Sequence, residues 1–250
     1  MKNSVVLTTR DFVLLRDLYE STVLSFFQIR TRHFPGKSEP TASNRLGKLR
    51  RADYTRSIRV GSQSHHGALK SIGVIHSITR KGIRALQSRF PSEAFREEPV
   101  RWNTQSLSHD LLLTDVLSAL RPRHPGARFT NGKLLGTDQR AGRRLPDAVL
   151  ETPPGSRKIA VELELTGKSE RRYREIITEY RLDPRYAEVH YIVPNRSLLE
   201  RIQSQIVGYR VSSDYPNPDT GKFKLLLLHA LLKSSSTVLD GTEEPQSRAA

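Results

Sequence analysis

Apolar residues recur at helical spacing from Phe12 through Leu15, Leu18 and Tyr19, with Thr8 or Thr9 placed to cap the segment. A second short helix is predicted from about residue 25 to 33, burying Phe26, Phe27 and Ile29, and Pro35-Gly36 breaks it. Pro40 opens a third helix that runs to about Ala52, with Ala42, Leu46 and Leu49 facing inward. Residues 54–60 and 71–79 predict two strands around a polar turn holding Gly61, His65, His66 and Gly67. A fourth helix, 79–88, packs through Ile83 and Leu86. Residues 89–103 mix Pro, charges and isolated aromatics, the pattern of a linker or docking segment.

The pattern then changes. A helix capped by Thr104 or Ser106 extends to Leu120, with Leu107, Leu111, Leu112, Val116 and Leu120 on its apolar face. Strands are predicted at 127–135, 145–151 and 158–166, a helix at 169–182, a strand at 189–194 and a helix at 197–208. The apolar stretch 223–232 fits either a buried strand or a helix. Residues 233–250 are rich in Ser, Thr, Glu, Pro and Gln and predict a disordered tail.

Helix–helix–helix–hairpin is the element order of a winged helix-turn-helix, and charge sharpens that reading. The 250 residues carry a net +15, and residues 1–103 hold 19 Lys and Arg against 8 Asp and Glu. Between Ser21 and Arg84 only Glu39 and Asp53 are acidic, against 13 Lys and Arg. Such a patch suits a polyanion. Thr41, Ser43, Asn44, Arg45, Lys48, Arg50 and Arg51 remain for the outer face of the third helix, and Arg56 and Arg59 lie on the first hairpin strand. Their hydrogen-bonding and cationic groups suit base edges and phosphates of double-stranded DNA. A winged helix used only for protein contacts is the competing reading.

Composition removes other classes. With no cysteine there are no disulfides, thiolate metal sites or cysteine nucleophiles. The longest apolar run, 225–232, is too short to span a bilayer, and the opening MKNSVVLTTRD has no secretory apolar segment. A cytoplasmic protein without a membrane partner is expected. His65 and His66, adjacent in a turn, lack the His-apolar-His spacing of rolling-circle nickases.

Helix, three strands, helix, strand is the order of the PD-(D/E)XK nuclease core, giving an expected fold class of α+β to α/β. The expected domains are a winged helix at 1–88, a linker at 89–103, a PD-(D/E)XK-like domain at 104–232 and the tail at 233–250. Pro146-Asp147 opens one strand, and Glu162 follows fifteen positions later in VELEL. Strand alternation sets Ala160, Glu162 and Glu164 on one face, so Asp147 and Glu162 converge if their strands are neighbours. Two carboxylates suit Mg2+ or Mn2+, which would activate a water against a phosphodiester, and the likeness to the nuclease core implies that the carbonyl after the Glu, here that of Leu163, also holds the metal. The motif's lysine, two positions after the Glu, is replaced by Glu164. Lys158 lies about 13 Å away along the strand, whereas Lys168, entering the next helix, is better placed to reach back. In SERRYREIITEYRL the arginines alternate with Glu on a solvated face, while Tyr173, Ile176, Ile177 and Tyr180 form a packing stripe. His109-Asp110 reads as a surface or supporting pair, and His190 as structural.

The segments LTTRD, FQIRTRHFPG, ASNRLGKLRRADY and ITRKGIRAL resemble the winged-helix half of the plasmid replication-relaxation family. SHDLLLTDVLSAL, LPDAVLE and VELELTGKSERRYREIITEY resemble its second half, so the likeness covers roughly residues 5–205. It implies a role in replication, mobilisation or relaxation of plasmids or mobile elements, with replication or conjugation proteins, or a second copy, as partners. It also implies that Glu164, within an acidic-strand-Thr pattern ending at Thr166, is a family trait. Two functions stay open: a metal-dependent DNA nickase using Asp147, Glu162, Glu164 and Lys168, or a non-enzymatic initiator or regulator whose second domain dimerises or recruits.

Overall fold

The computed structural model describes residues 5–60, 73–135, 144–153, 157–208 and 221–239. The fold is mixed α/β with two sheets, and the chain divides into two compact units, Met1–Thr114 with Thr130–Gly136, and Asp115–Phe129 with Thr137–Ala250.

In the first unit, α1 (Thr9–Ser21) begins at a capping box: Thr8 accepts the Asp11 N–H, and Asp11 accepts the Thr8 N–H. A two-residue strand β1 (Leu24–Ser25), too short to leave a periodic signal, leads into α2 (Phe26–His33), capped by Ser25 with Gln28. α3 (Glu39–Arg51) has Pro in its first turn. Just past its Ala52 cap, Asp53 has a φ of 63°, the left-handed conformation that Asp tolerates, and the Tyr54 N–H then reaches back to the Leu49 carbonyl. That turn launches β2 (Thr55–Val60), antiparallel to β3 (Gly73–Ile78), with sheet order β1-β3-β2. α4 (Arg80–Arg89) follows the Thr79 cap. Leu14, Leu15, Leu18, Ile29, Leu46, Leu49, Ile83 and Leu86 form one core. A second cluster joins Val23, Ile75, Leu107 and Leu111 beneath Trp102.

Phe27, expected inside, is 73% exposed. On so short a helix the inward stripe passes through Ile29 and His33, and Phe27 lies off it. Residues 89–103 dock on this unit: Phe90 and Phe95 pack on the first core, and the Arg96 N–H donates to the Tyr19 hydroxyl. Gly61, His65, His66 and Gly67 of the anticipated turn lie outside the described residues.

α5 (Leu107–Leu120) buries all five anticipated apolar residues. The second sheet has the order β4-β5-β6-β7-β8, built from Arg128–Asn131, Ala148–Glu151, Lys158–Leu163, Glu188–Val193 and Phe223–Leu227. β5 and β6 are antiparallel; β6 to β7 and β7 to β8 are parallel, connected through α6 (Glu170–Leu182) and α7 (Arg196–Gly208). β6 after Lys158 and all of β7 are buried, as parallel strands covered on both faces must be.

Four expected elements differ. The strand expected at 127–135 stops at Asn131, whose side chain accepts the Lys133 N–H and starts a 3-10 turn, Gly132–Leu134. β6 ends at Leu163 and β7 at Val193, where Pro194 has no N–H to extend the ladder. The stretch 223–232 is both alternatives in turn: β8 pairs with β7 as far as Val193↔Leu227, and α8 (Leu228–Leu239) starts at the next residue. α8 passes Lys233, where the sequence suggested the tail would begin; residues 240–250 lie outside the described set. Among the described residues no helix is long and apolar enough to cross a membrane.

Candidate functional site

Two groupings of polar residues stand out, one in each unit. In the first unit, Leu46 and Leu49 turn one side of α3 into the core, which leaves Thr41, Ser43, Asn44, Lys48, Arg50 and Arg51 exposed on the other. β2 lies alongside, with Arg56 and Arg59 exposed. An open cavity of about 470 Å³ separates the two elements, lined by Ser43, Asn44, Arg50, Arg51 and Arg59 over a floor that includes His76. A second cavity, about 350 Å³, lies between Arg50, Arg56 and Arg80. Among the described residues Lys48, Arg50, Arg51, Arg56 and Arg59 pair with no carboxylate; Arg50 has only a long contact to Ser57 Oγ at 3.4 Å. His76 is buried with neither ring nitrogen bonded among the described residues, and burial plus the nearby Arg50 charge push its pKa down to about 4, which favours the neutral ring at pH 7.

Arg45 is placed differently. Its Nε donates to Asp11 Oδ1 at 2.9 Å, one Nη donates to Asp11 Oδ2, and the same Nη reaches the Val6 carbonyl at 2.9 Å. It ties α3 to α1, thirty-four residues apart in sequence.

In the second unit the Pro146-Asp147 turn and the end of β6 do come together. Asp147 Oδ2 accepts the Leu163 N–H at 2.8 Å. Glu162 is buried and its Oε1 accepts two bonds, from the Tyr180 hydroxyl on α6 and from Arg144 Nε at 3.1 Å. Burial, then the neighbouring Asp147 charge, raise the Glu162 pKa, with Arg144 and Tyr180 opposing. Burial works to lower the Arg144 pKa, but attraction to Glu162 prevails and raises it. Burial and the Glu162 charge both raise that of Tyr180. Tyr191 stands opposite Glu162 in the β6–β7 register, and its buried hydroxyl has no hydrogen-bond partner among the described residues. Lys168 does reach back, but to Glu164, and its N–H donates to the Tyr173 hydroxyl at 3.1 Å.

Mg2+ or Mn2+ needs ionised oxygens with open lone pairs. Here Glu162 Oε1 is taken by a guanidinium and a phenol, Asp147 Oδ2 by a backbone N–H, and Glu164 Oε2 by Lys168. Among the described residues no group of three or more His, Asp or Glu side chains is placed to hold a metal. With those oxygens bonded and two cations, Arg144 and Lys168, beside them, the arrangement fits such an ion poorly.

The other sequence candidates fall into structural roles. Lys158 is exposed beside Glu151 at 3.6 Å. Arg171 and Arg172 bond Glu175, while Tyr173, Ile176, Ile177 and Tyr180 are buried, the packing pattern anticipated for α6. Asp110 is buried and bonded by Ser106 and by Lys133 at 2.5 Å. His190 is buried against Glu188 at 2.8 Å. The sequence pattern does not mark Arg144 or Tyr191, and it favours Tyr180 as part of the packing stripe of α6 over a nucleophile. The available signal was local for Arg144, a cation three residues before the Pro-Asp pair.

Among the described residues, one unit carries a cationic face without carboxylate partners and the other an acidic centre closed by an arginine, in a mixed α/β protein. A family model described as replication-relaxation matches residues 15–201, most of the chain. The chain belongs to the replication-relaxation family, which points to a role in plasmid replication or relaxation. No curated protein and no solved structure matches it.

Proposed function

We propose that the chain is a DNA-binding protein of a plasmid or integrated mobile element, with its first unit acting as a winged helix that grips duplex DNA. The three helices followed by a two-stranded hairpin, with β1 added at the sheet edge, support the winged-helix reading. One observation carries the binding reading: Lys48, Arg50, Arg51, Arg56 and Arg59 lie exposed on adjoining elements without carboxylate partners among the described residues. Several cations elsewhere are neutralised internally, as in Arg16–Glu93, Arg157–Glu188 and Arg196–Glu200. A row of unpaired cations repels itself, and a phosphate backbone relieves the repulsion while releasing counterions. Asn44 and Ser43 stand in the same row and supply groups able to read base edges.

The second unit serves this targeting as a partner-recruiting or dimerising domain and does not cut DNA. The order α5-β4-β5-β6-α6-β7 supports its relation to the nuclease core, while Glu162, closed by Arg144 and Tyr180, argues against a working metal site.

The test is binding of the full chain to a short fluorescent DNA duplex across a salt series. Five phosphates neutralised give a slope near 4.5 log units of affinity per log unit of salt, and an Arg50, Arg51 and Arg59 to Ala triple variant lowers it by about 2.7. A flat salt response, or a triple variant that binds as wild type does, overturns the reading. Tighter binding to duplex RNA than to duplex DNA moves it to RNA. Opening of supercoiled plasmid in Mg2+ or Mn2+, abolished by Glu162→Ala, makes the second unit a nuclease.

A further inference from the structure

We infer that Arg144 is the built-in countercation of the Asp147–Glu162 centre: a positioning residue that holds Glu162 against Tyr180 and keeps divalent metal out. The inference concerns the second unit alone and does not rest on DNA binding by the first.

Three contacts carry it. The Arg144 guanidinium bonds Glu162 through Nε at 3.1 Å and lies 5.6 Å from the centre of the Tyr180 ring, so it is held by both an ion pair and a ring face. Tyr180 donates to the same oxygen, Oε1, that receives Arg144, so that oxygen's lone pairs are filled. Asp147 is held by the Leu163 N–H, which fixes the second carboxylate to the backbone of β6.

A buried carboxylate that is to stay ionised needs a positive partner, and a protein supplies one as a metal ion or as a side chain. A guanidinium and a hydrated divalent ion do not share one carboxylate oxygen at close range, because their charges repel. Lys168 neutralises Glu164, two residues after Glu162, in the same way, so two of the acids in this centre already have cations. Arg144 side-chain exposure is 19% and that of Glu162 is 8%, so the pair sits where solvent screens it weakly.

The measurement is Mn2+ binding to the full chain without DNA, followed by electron paramagnetic resonance and isothermal titration. Wild type is expected to show no binding that Glu162→Gln removes. Arg144→Gln is expected to gain one Mn2+ at least about tenfold more tightly than wild type, and the added Glu162→Gln change to remove it. Arg144→Lys, which restores a positive charge, returns the site to exclusion. Glu162-dependent Mn2+ binding in wild type overturns the inference, and so does a folded Arg144→Gln chain that gains none. If Arg144→Gln does not fold by circular dichroism, the comparison of wild type with Glu162→Gln still decides. Neither outcome bears on the salt dependence of DNA binding, so the two readings fail separately.

Discussion

Arg45→Ala separates a strut from a DNA contact. Position 45 lies within the cationic stretch of α3, yet its guanidinium is spent on Asp11, whose side chain is 1% exposed. Truncation leaves that carboxylate inside without its cation. Breaking a buried ion pair costs about 3–5 kcal/mol. Asp11 keeps the bonds from the Thr8 N–H and hydroxyl, both 2.7 Å, and Arg45 itself is partly exposed, so a loss of about 2–4 kcal/mol is expected. For a chain of this size that lowers the melting temperature by roughly 5–15 °C. Trp102, the chain's one tryptophan, packs in the second core of the same unit, so its fluorescence in a urea titration reports this unit.

A double-mutant cycle with Asp11→Asn isolates the pair, and the double variant should lose less than the two singles together. The pH dependence has a fixed sign. Burial works to raise the Asp11 pKa, but the bonds from Arg45 and Thr8 outweigh it and hold it below the ordinary value. The contribution is therefore present above the ordinary carboxylate range and lost as pH falls through the depressed value, so Arg45→Ala and wild type converge in acid. Where Arg45→Ala remains folded, its salt slope for DNA should match wild type. An unchanged unfolding midpoint together with a slope lowered by about 0.9 would make Arg45 a phosphate ligand and refute the strut.

Gly82→Ala should destabilise the first unit by about 1–3 kcal/mol even though alanine favours a helix by about 1 kcal/mol. A Cβ there would stand 2.4 Å from the Tyr54 carbonyl oxygen and 2.6 Å from Ile78 Cγ1; a rise in melting temperature sinks this expectation. Burial works to raise the Glu188 pKa, yet Lys224 and His190 hold it down at about 2. The stability it adds is complete above the ordinary value of 4.5 and disappears as pH falls toward 2, so Glu188→Gln should flatten the acid limb of a stability-against-pH curve. Limbs of equal steepness would show that the Glu188 contacts contribute nothing.

Most elements of this chain were legible before any coordinates. The helices of the first unit declare themselves through Leu15, Leu18, Leu46 and Leu49, because the helical repeat is a property of neighbouring residues. The lopsided charge of residues 1–103 is likewise independent of folding. The meeting of Asp147 with the end of β6 followed from strand alternation plus one assumption, that the two strands are neighbours, and β5 and β6 do pair. The extent of 223–232 was not legible, since a short apolar run satisfies both repeats; pairing with β7 up to Leu227 decided it.

What the tertiary structure alone decided is which charges are spent. Arg45 and Arg51 look alike along α3, but only one comes within reach of Asp11, and that depends on how α1 crosses α3. Glu162 looked like an open metal ligand on its strand. Its oxygen is instead filled by Arg144, eighteen residues before it, and Tyr180, eighteen after, brought in by a turn and a helix. Hydrophobic repeats act between residues a few positions apart, so sequence displays them directly. Ion pairs act through space between residues of any separation, so only the packed chain shows which cation meets which acid, and which are left for a partner.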